Sequence, residues 1–298
     1  MGRQMSSLRF ASERCRTAVP RLFVCDVDRT LLTHDHVLLP AVSAAARSMH
    51  SVKLPLILAS ARSPVGLERV HADVGASDTV CCFNGAWIGT LSSRTTLKEA
   101  RLDREAALEA MTSVHHLGGS PIWFDLDTCF VLKPDERVAR RRTDVTGDRL
   151  QLINRSNEAP KAPFKLLATF PEETIEASVT LLSSKFSGEL TVAQSGPNLV
   201  ELVASGVQKD VAAAFIAHEF GLGSKDVVAA GDSDNDFGLL CWAGLAIAVS
   251  NAKPHVQKVA DIVAPSCDVG GLALAFEWVV ERKSAFVRVI PRHARAPP

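Results

Sequence analysis

The chain has 298 residues, 47% of them hydrophobic, with 33 Lys plus Arg against 33 Asp plus Glu. That composition argues against global disorder and allows a substantial core, in one large domain or two modest ones. The balanced charge gives no electrostatic reason to expect nucleic acid or an anionic membrane as partner, and no apolar run reaches the ~18–20 residues of a membrane span.

Residues 1–19 have no clear period and carry Arg3, Arg9, Arg14 and Arg16 against Glu13. A disordered or loosely docked extension is expected. No signal-peptide apolar core is present, and no convincing amphipathic stretch supports a transit peptide. From residue 22 onward, short apolar runs alternate with stretches of helix length. Residues 22–25 read as a first strand, 40–49 as a helix opened by Pro40, and 54–59 as a second strand with Pro55 near its start. A helix over 64–70 and a third strand over 80–83 follow.

The middle, 87–204, breaks this rhythm. It gives a helical 103–114, an alternating run over 121–132 and a basic patch over 137–142. Strand-like 166–170, helical 172–183 and strands near 190–193 and 199–203 complete it. The first pattern then resumes. A helix over 211–220 is stopped by Gly221. Strands at 227–230, 245–249 and 262–263 alternate with helices at 237–241, 252–259 and 271–280.

The βαβ alternation predicts an α/β protein: a Rossmann-like doubly wound parallel sheet core with an inserted α+β domain. The expected divisions are an extension (1–19), a core in two parts (20–86 and 205–280), the insert (87–204) and a basic tail (281–298). That tail holds Arg282, Lys283, Arg288, Arg292 and Arg295 and reads as solvated. The 7 Cys include no Cys-x-x-Cys pair, which fits a reducing, cytoplasmic setting; Cys25, Cys81 and Cys82 read as small buried hydrophobes.

Two acidic clusters carry the chemistry. Asp26-Val27-Asp28-Arg29-Thr30-Leu31-Leu32 follows the first strand, and Gly231-Asp232-Ser233-Asp234-Asn235-Asp236 follows the strand at 227–230. Ligands bind at the carboxyl ends of parallel strands, so these segments are expected to share one negative cleft. Ser60, ending the second strand, and Lys209, opening a helix after the insert, are expected in the same cleft. Crowded carboxylates favour a hard divalent cation with oxygen ligands, Mg²⁺ by type. Such a cleft suits phosphoryl transfer: a carboxylate attacks phosphorus, and an acid two residues on protonates the leaving group and then activates water. Ser60 and helix-start amides can hold phosphate oxygens.

Taken in chain order, the Asp26–Leu32 segment, Ser60, Lys209 and the Gly231–Asp236 segment resemble the four motifs of the haloacid dehalogenase (HAD) superfamily, phosphatase branch. Phe83-Asn84-Gly85-Ala86 and Ser250-Asn251-Ala252-Lys253-Pro254 resemble signatures of its Cof-type members, related to the phosphosugar and mannosyl-phosphoglycerate phosphatases, which carry a large α+β cap between the second and third motifs. The resemblance covers about 21–278. It implies that Asp26 is the nucleophile and a Mg²⁺ ligand. Asp28 is the general acid/base and lends its carbonyl to the metal, and Asp232 is a metal ligand. Ser60 and Lys209 bind phosphate, joined by Asn84 at the site edge and Asn235. Asp236 and Arg62 support the site.

Three positions depart from the family pattern: Arg29 and Asp210 stand where Gly is frequent, and Ala61 follows Ser60 where Gly is common. Arg29 is expected to point outward. The Asp232-x-Asp234-x-Asp236 spacing also suggests a calcium loop, but Phe237 and Ala243 occupy the places that need Gly and Glu, so Asp234 reads as a solvated acid. His115-His116 reads as a turn in the insert. Asp125 and Asp127 read as sharing one face of a strand after Trp123, and 137–142 as a solvated helix face.

The expected activity is a Mg²⁺-dependent phosphatase acting on small phosphate monoesters, sugar phosphates or phosphorylated cofactors, as a monomer or homodimer. A phosphomutase, or a binding protein that keeps the fold without turnover, remains the alternative.

Overall fold

The structure, a computed structural model, describes residues 8–17 and 19–289. In chain order its strands and α-helices are β1 (Arg9–Phe10), α1 (Arg14–Thr17), β2 (Leu22–Cys25), α2 (Pro40–Ser48), β3 (Leu56–Leu58), α3 (Pro64–Val74), β4 (Thr79–Cys82), β5 (Trp87–Thr90) and β6 (Thr96–Glu99). There follow α4 (Arg104–His116), β7 (Ser120–Phe124), β8 (Thr128–Leu132), α5 (Glu136–Thr146), β9 (Arg149–Ile153), β10 (Lys165–Thr169), α6 (Ile175–Lys185), β11 (Leu190–Gly196) and β12 (Leu199–Ala204). The chain closes with α7 (Lys209–Glu219), β13 (Val227–Gly231), α8 (Asp234–Trp242), β14 (Leu245–Val249), α9 (Pro254–Val259), β15 (Ile262–Ala264) and α10 (Gly271–Val289).

The chain divides into two compact units. The first holds Met1–Ala59, Arg69–Val80 and Lys209–Pro298; the second holds Ser60–Glu68 and Cys81–Gln208. In the first, a six-stranded sheet runs β1-β15-β14-β13-β2-β3. Every pair from β15 to β3 is parallel. β2, β13 and β14 are buried at every position, as strands covered on both faces must be. Helix α10 packs on α2, and α8 packs on α7 and α9. The chain runs outward from β2 to β3 on one side and from β13 to β15 on the other, so the strand order reverses between β2 and β13. That reversal leaves a crevice at their carboxyl ends.

The second unit is α+β. Its six-stranded sheet runs β11-β12-β10-β7-β8-β9, antiparallel except for the β8–β9 pair. Trp123, Leu166, Val200 and Leu202 from the sheet pack with Met111 and Val114 of α4 and Leu182 of α6 into a separate core. This is the α/β core with an α+β insert that the alternation of elements predicts.

Four expectations fail locally. Residues 8–17 are not a loose extension. β1 pairs antiparallel with β15, Ala11 N–H donates to Asp261 O at 2.7 Å, and Leu8 and Cys15 are buried. The anchoring partners are far away in sequence, so no local period signals them. The tail beyond 280 is not wholly solvated either: α10 runs to Val289, and Lys283 Nζ donates to Pro20 O. Arg3, Arg292 and Arg295 lie outside the described residues. The third strand, observed as β4, belongs to a three-stranded sheet with β5 and β6 rather than to the parallel sheet. Asp125 and Asp127 do not share a strand face: β7 ends at Phe124, and the two acids sit in the β7–β8 connection, where Arg101 and Arg94 respectively pair with them.

Candidate active site

The carboxyl ends of β2 and β13 meet. Cys25 is in register with Ala230, and Asp26 N–H donates to Ala230 O at 3.0 Å, extending the ladder by one residue. Asp26 and Asp232 therefore leave adjacent strands at the same level. After β13 the chain turns sharply into α8. Gly231 permits the turn, because a Cβ there would lie 2.4 Å from Asp236 Cβ. Asp236 folds back as a cap: its Oδ2 accepts from the Asp232 and Ser233 amides, each at 3.1 Å. A carboxylate in the first turn of a helix also faces the positive end of the helix dipole.

Lys209 starts α7 and is fully buried. Its Nζ donates to Asp26 Oδ1 at 2.5 Å and to Asp236 Oδ1 at 2.7 Å. Burial lowers the proton affinity of this ammonium; Asp236 and Asp26 more than offset that and hold it charged. Asp26 is pushed well above the usual carboxylate range by burial, then by Asp236, with Lys209 opposing. Asp232 rises to about 6, again from burial first and Asp236 second.

Carboxylate oxygens of Asp26, Asp232 and Asp236 lie within 4.8 Å of one another. At that separation each ionised pair repels by about 3 kcal/mol at an effective dielectric near 20. Burial first, and the crowding of three acids around one ammonium second, make Asp26 and Asp232 resist ionisation. The donor set is all oxygen and mostly buried, and it fits a hard divalent cation. Asp236, read from sequence as a supporting residue, stands here as the third carboxylate. Its position three residues into α8, opposite Gly231, was the signal.

Other motif residues surround the cluster. Asp28 is one-third exposed, and its Oδ1 lies 2.8 Å from His36 Nδ1. Nothing in the sequence pointed to His36. Thr30 Oγ1 donates to Asp232 Oδ1 at 3.4 Å. Arg29 is exposed, as expected, with φ 60°, the left-handed region where Gly is most at ease. Its carbonyl accepts from Asn251 Nδ2 at 2.8 Å. Asp234 is exposed and pairs with Lys253 and His255, outside the carboxylate cluster. Asn235 is also exposed, and its Oδ1 accepts from Ser233 Oγ at 2.6 Å.

Ser60, Arg62 and Asn84 belong to the second unit, where they form one buried stitch. Ser60 N–H donates to Cys81 O, Asn84 N–H to Ser60 O at 2.9 Å, and Phe83 N–H to Arg62 O. Asn84 takes a positive φ of 58°, and its Nδ2 donates to Glu201 Oε2 at 2.8 Å. Glu201 also receives Lys165 Nζ at 3.3 Å, and the same ammonium donates to Ala61 O at 2.7 Å. Lys165 and Glu201 are both buried. Neither was singled out in the sequence, since a lone charge within an apolar strand looks like ordinary alternation. His115 and His116 end α4 instead of forming a turn, and 137–142 lies on α5, with Arg142 bonded to Asn198.

A model of the haloacid dehalogenase-like hydrolase family matches residues 23–276. The chain belongs to that family. It is 26% identical to a phosphoglycolate phosphatase of Archaeoglobus fulgidus over 263 residues, 87% of this chain and 97% of the relative. A haloacid dehalogenase-like hydrolase from Bacteroides thetaiotaomicron superposes with a TM-score of 0.80 at 21% identity, covering 87% of this chain and 98% of that one. A HAD subclass IIB sugar phosphatase superposes with a TM-score of 0.73 at 20% identity, covering 86% and 98%. At these identities the two structures establish the fold. Among the described residues no helix is long and apolar enough to cross a membrane.

Proposed function

We propose that the protein is a Mg²⁺-dependent phosphatase that releases phosphate from small phosphate monoesters by way of Asp26. The reading rests chiefly on one observation: buried Lys209 bridges Asp26 and Asp236 beside Asp232. Lys209 fixes the Asp26 carboxylate and sets a permanent positive charge where a phosphoryl group would arrive.

In the first step an Asp26 oxygen attacks phosphorus. A P–O bond to Asp26 forms, the ester P–O bond breaks, and Asp28 gives its proton to the departing alkoxide. In the second step Asp28, now a carboxylate, takes a proton from water as that water attacks phosphorus. The acyl-phosphate bond breaks, and Asp26 is restored with release of inorganic phosphate. Asp26, Asp232 and the Asp28 carbonyl would hold the Mg²⁺, with Asp236 close by. The ion supplies neutralisation of charge between an anionic nucleophile and an anionic phosphate. The phosphate-holding roles of Ser60, Asn84 and Asn235, the support from Arg62, and a cap formed by 87–204 are parts of this proposal that rest on the motif resemblance.

Sugar phosphates are the first substrate class and phosphorylated cofactors such as pyridoxal phosphate the second. The named activity of the Archaeoglobus relative, on a small phosphorylated acid, supports the small-monoester class. A phosphate-release screen across sugar phosphates, nucleotides and cofactor phosphates, with Mg²⁺ and with EDTA, tests the reading. Turnover that needs Mg²⁺ and vanishes in Asp26→Asn is expected. Undiminished turnover in EDTA, or in Asp26→Asn, would overturn it.

A further inference from the structure

A second group of potential ligands lies outside the all-oxygen cluster and has a different chemistry. His34 Nδ1 lies 2.9 Å from Asp268 Oδ2 and 3.6 Å from Cys267 Sγ, and Cys267 Sγ lies 3.7 Å from Asp268 Oδ1. One nitrogen, one sulfur and one oxygen are thus within 4.8 Å of one another. A tetrahedral zinc ion, with Zn–S near 2.3 Å and Zn–N or Zn–O near 2.0–2.2 Å, sets its sulfur about 3.6 Å from each neighbouring nitrogen or oxygen ligand. The sulfur–nitrogen edge, at 3.6 Å, already has that length, and the sulfur lies 3.7 Å from the other carboxylate oxygen, Asp268 Oδ1. The edge from His34 Nδ1 to Asp268 Oδ2, closed to 2.9 Å by a hydrogen bond, has to open by roughly 0.4 Å on the same geometry.

The ligands are held before any ion arrives. Cys267 and Asp268 open a short 3₁₀ turn, Cys267–Val269, capped by Ser266 Oγ, which accepts from Asp268 N–H. Cys267 N–H donates to Asn251 Oδ1 at 2.9 Å. His34 N–H donates to Asp268 Oδ1 at 3.0 Å, which leaves Oδ2 toward the imidazole. The His34 turn is itself closed, since Thr33 N–H donates to Val37 O and His36 N–H to Thr33 O. His34 and Asp268 are exposed, so an ion has a path in, and Cys267 supplies a buried sulfur.

We propose that His34, Cys267 and Asp268 form a three-ligand site for a borderline-soft divalent ion, zinc by chemistry, with the fourth position left to water. The mixed sulfur, nitrogen and oxygen set selects against Mg²⁺, which the acidic cluster suits. Binding replaces the thiol proton with the metal and releases that proton to solvent. It clamps the turn at 33–37, which also carries His36, to the segment between β15 and α10.

The test is titration of the full chain with Co²⁺ and with Zn²⁺ alone, at saturating Mg²⁺ so that the carboxylate cluster is filled. One equivalent of Co²⁺ should bring thiolate-to-cobalt charge-transfer absorption, displaced by Zn²⁺. Cys267→Ser should lose that absorption, whereas Cys241→Ser, at an exposed cysteine away from the group, should keep it. Should Cys267→Ser fold poorly, the surface change His34→Ala gives the same reading: weaker Co²⁺ and Zn²⁺ binding with an unchanged circular dichroism spectrum. Absence of the charge-transfer band in the unaltered protein, its persistence in Cys267→Ser, or unchanged Co²⁺ and Zn²⁺ affinity in His34→Ala would overturn the assignment.

Discussion

His36 Nδ1 sits 2.8 Å from Asp28 Oδ1, eight residues along the same loop. The residue proposed to shuttle the proton therefore has a titratable partner of its own. Removing that partner takes away the contact that holds the Asp28 carboxyl group in place. His36→Ala is expected to cut kcat about tenfold, the value of one charge-assisted hydrogen bond. KM for the phosphate ester should change less than kcat. A kcat equal to that of the unaltered protein would remove His36 from the proton-transfer step.

Lys209 is the only cation buried within the carboxylate cluster among the described residues. Lys209→Met would leave Asp26 and Asp236 facing each other uncompensated. Breaking a buried pair on one side costs about 3–5 kcal/mol. A lower unfolding midpoint in denaturant is expected, partly restored by Mg²⁺, together with loss of turnover. An equal loss of stability with and without Mg²⁺ would separate the lysine from the metal site.

The metal-free cluster should lose stability as pH rises. Asp232 is raised from 3.8 to about 6 in the folded chain, so between those values the native state holds a proton that the unfolded chain has lost. Its contribution is complete below about 3.8 and disappears as pH passes about 6, up to roughly 3 kcal/mol from this group. Burial pushes Asp26 the same way. A bound cation reverses the preference, because it needs the ionised acids. Melting in EDTA should therefore fall from pH 5 to pH 7, and Mg²⁺ should raise the melting temperature more at pH 7 than at pH 5. Asp232→Asn should flatten both trends.

Glu201 ties Asn84 and Lys165 together, and Lys165 in turn holds the Ala61 carbonyl next to Ser60. Glu201→Gln keeps the shape but removes the charge that compensates Lys165. If Ser60 binds phosphate as proposed, the loosened Ser60–Ala61–Arg62 segment should raise KM for every phosphate ester by a similar factor, about tenfold for one such bond, with a smaller change in kcat. A uniform fall in kcat at constant KM would argue against a positioning role.

The sequence made the strand ends and the acids on them legible because both depend on local signals: short buried runs, each followed at once by Asp-x-Asp or Gly-Asp. Lys209 was legible as a member of the site. Its burial between Asp26 and Asp236 was not, because that depends on how α7 packs beside two strands. His36 was hidden for a similar reason: it reaches Asp28 from a turn held by Thr33 and Val37, with His36 itself at a positive φ of 58°. β9 was missed because its exposed and half-buried positions alternate with few strong apolar residues, Arg149-Leu150-Gln151-Leu152-Ile153. The Asp125–Asp127 misreading came from extending a strand period across a turn.

The short pairing of Arg9 and Phe10 with Ile262 and Val263 shields what would otherwise be the bare rim of the parallel sheet. Uncovered, β15 would present unpaired amides and carbonyls, a template on which another chain could add. Residues 9–11 thus act as a built-in guard against self-association, and a truncated chain starting near residue 20 should self-associate while keeping every proposed catalytic group.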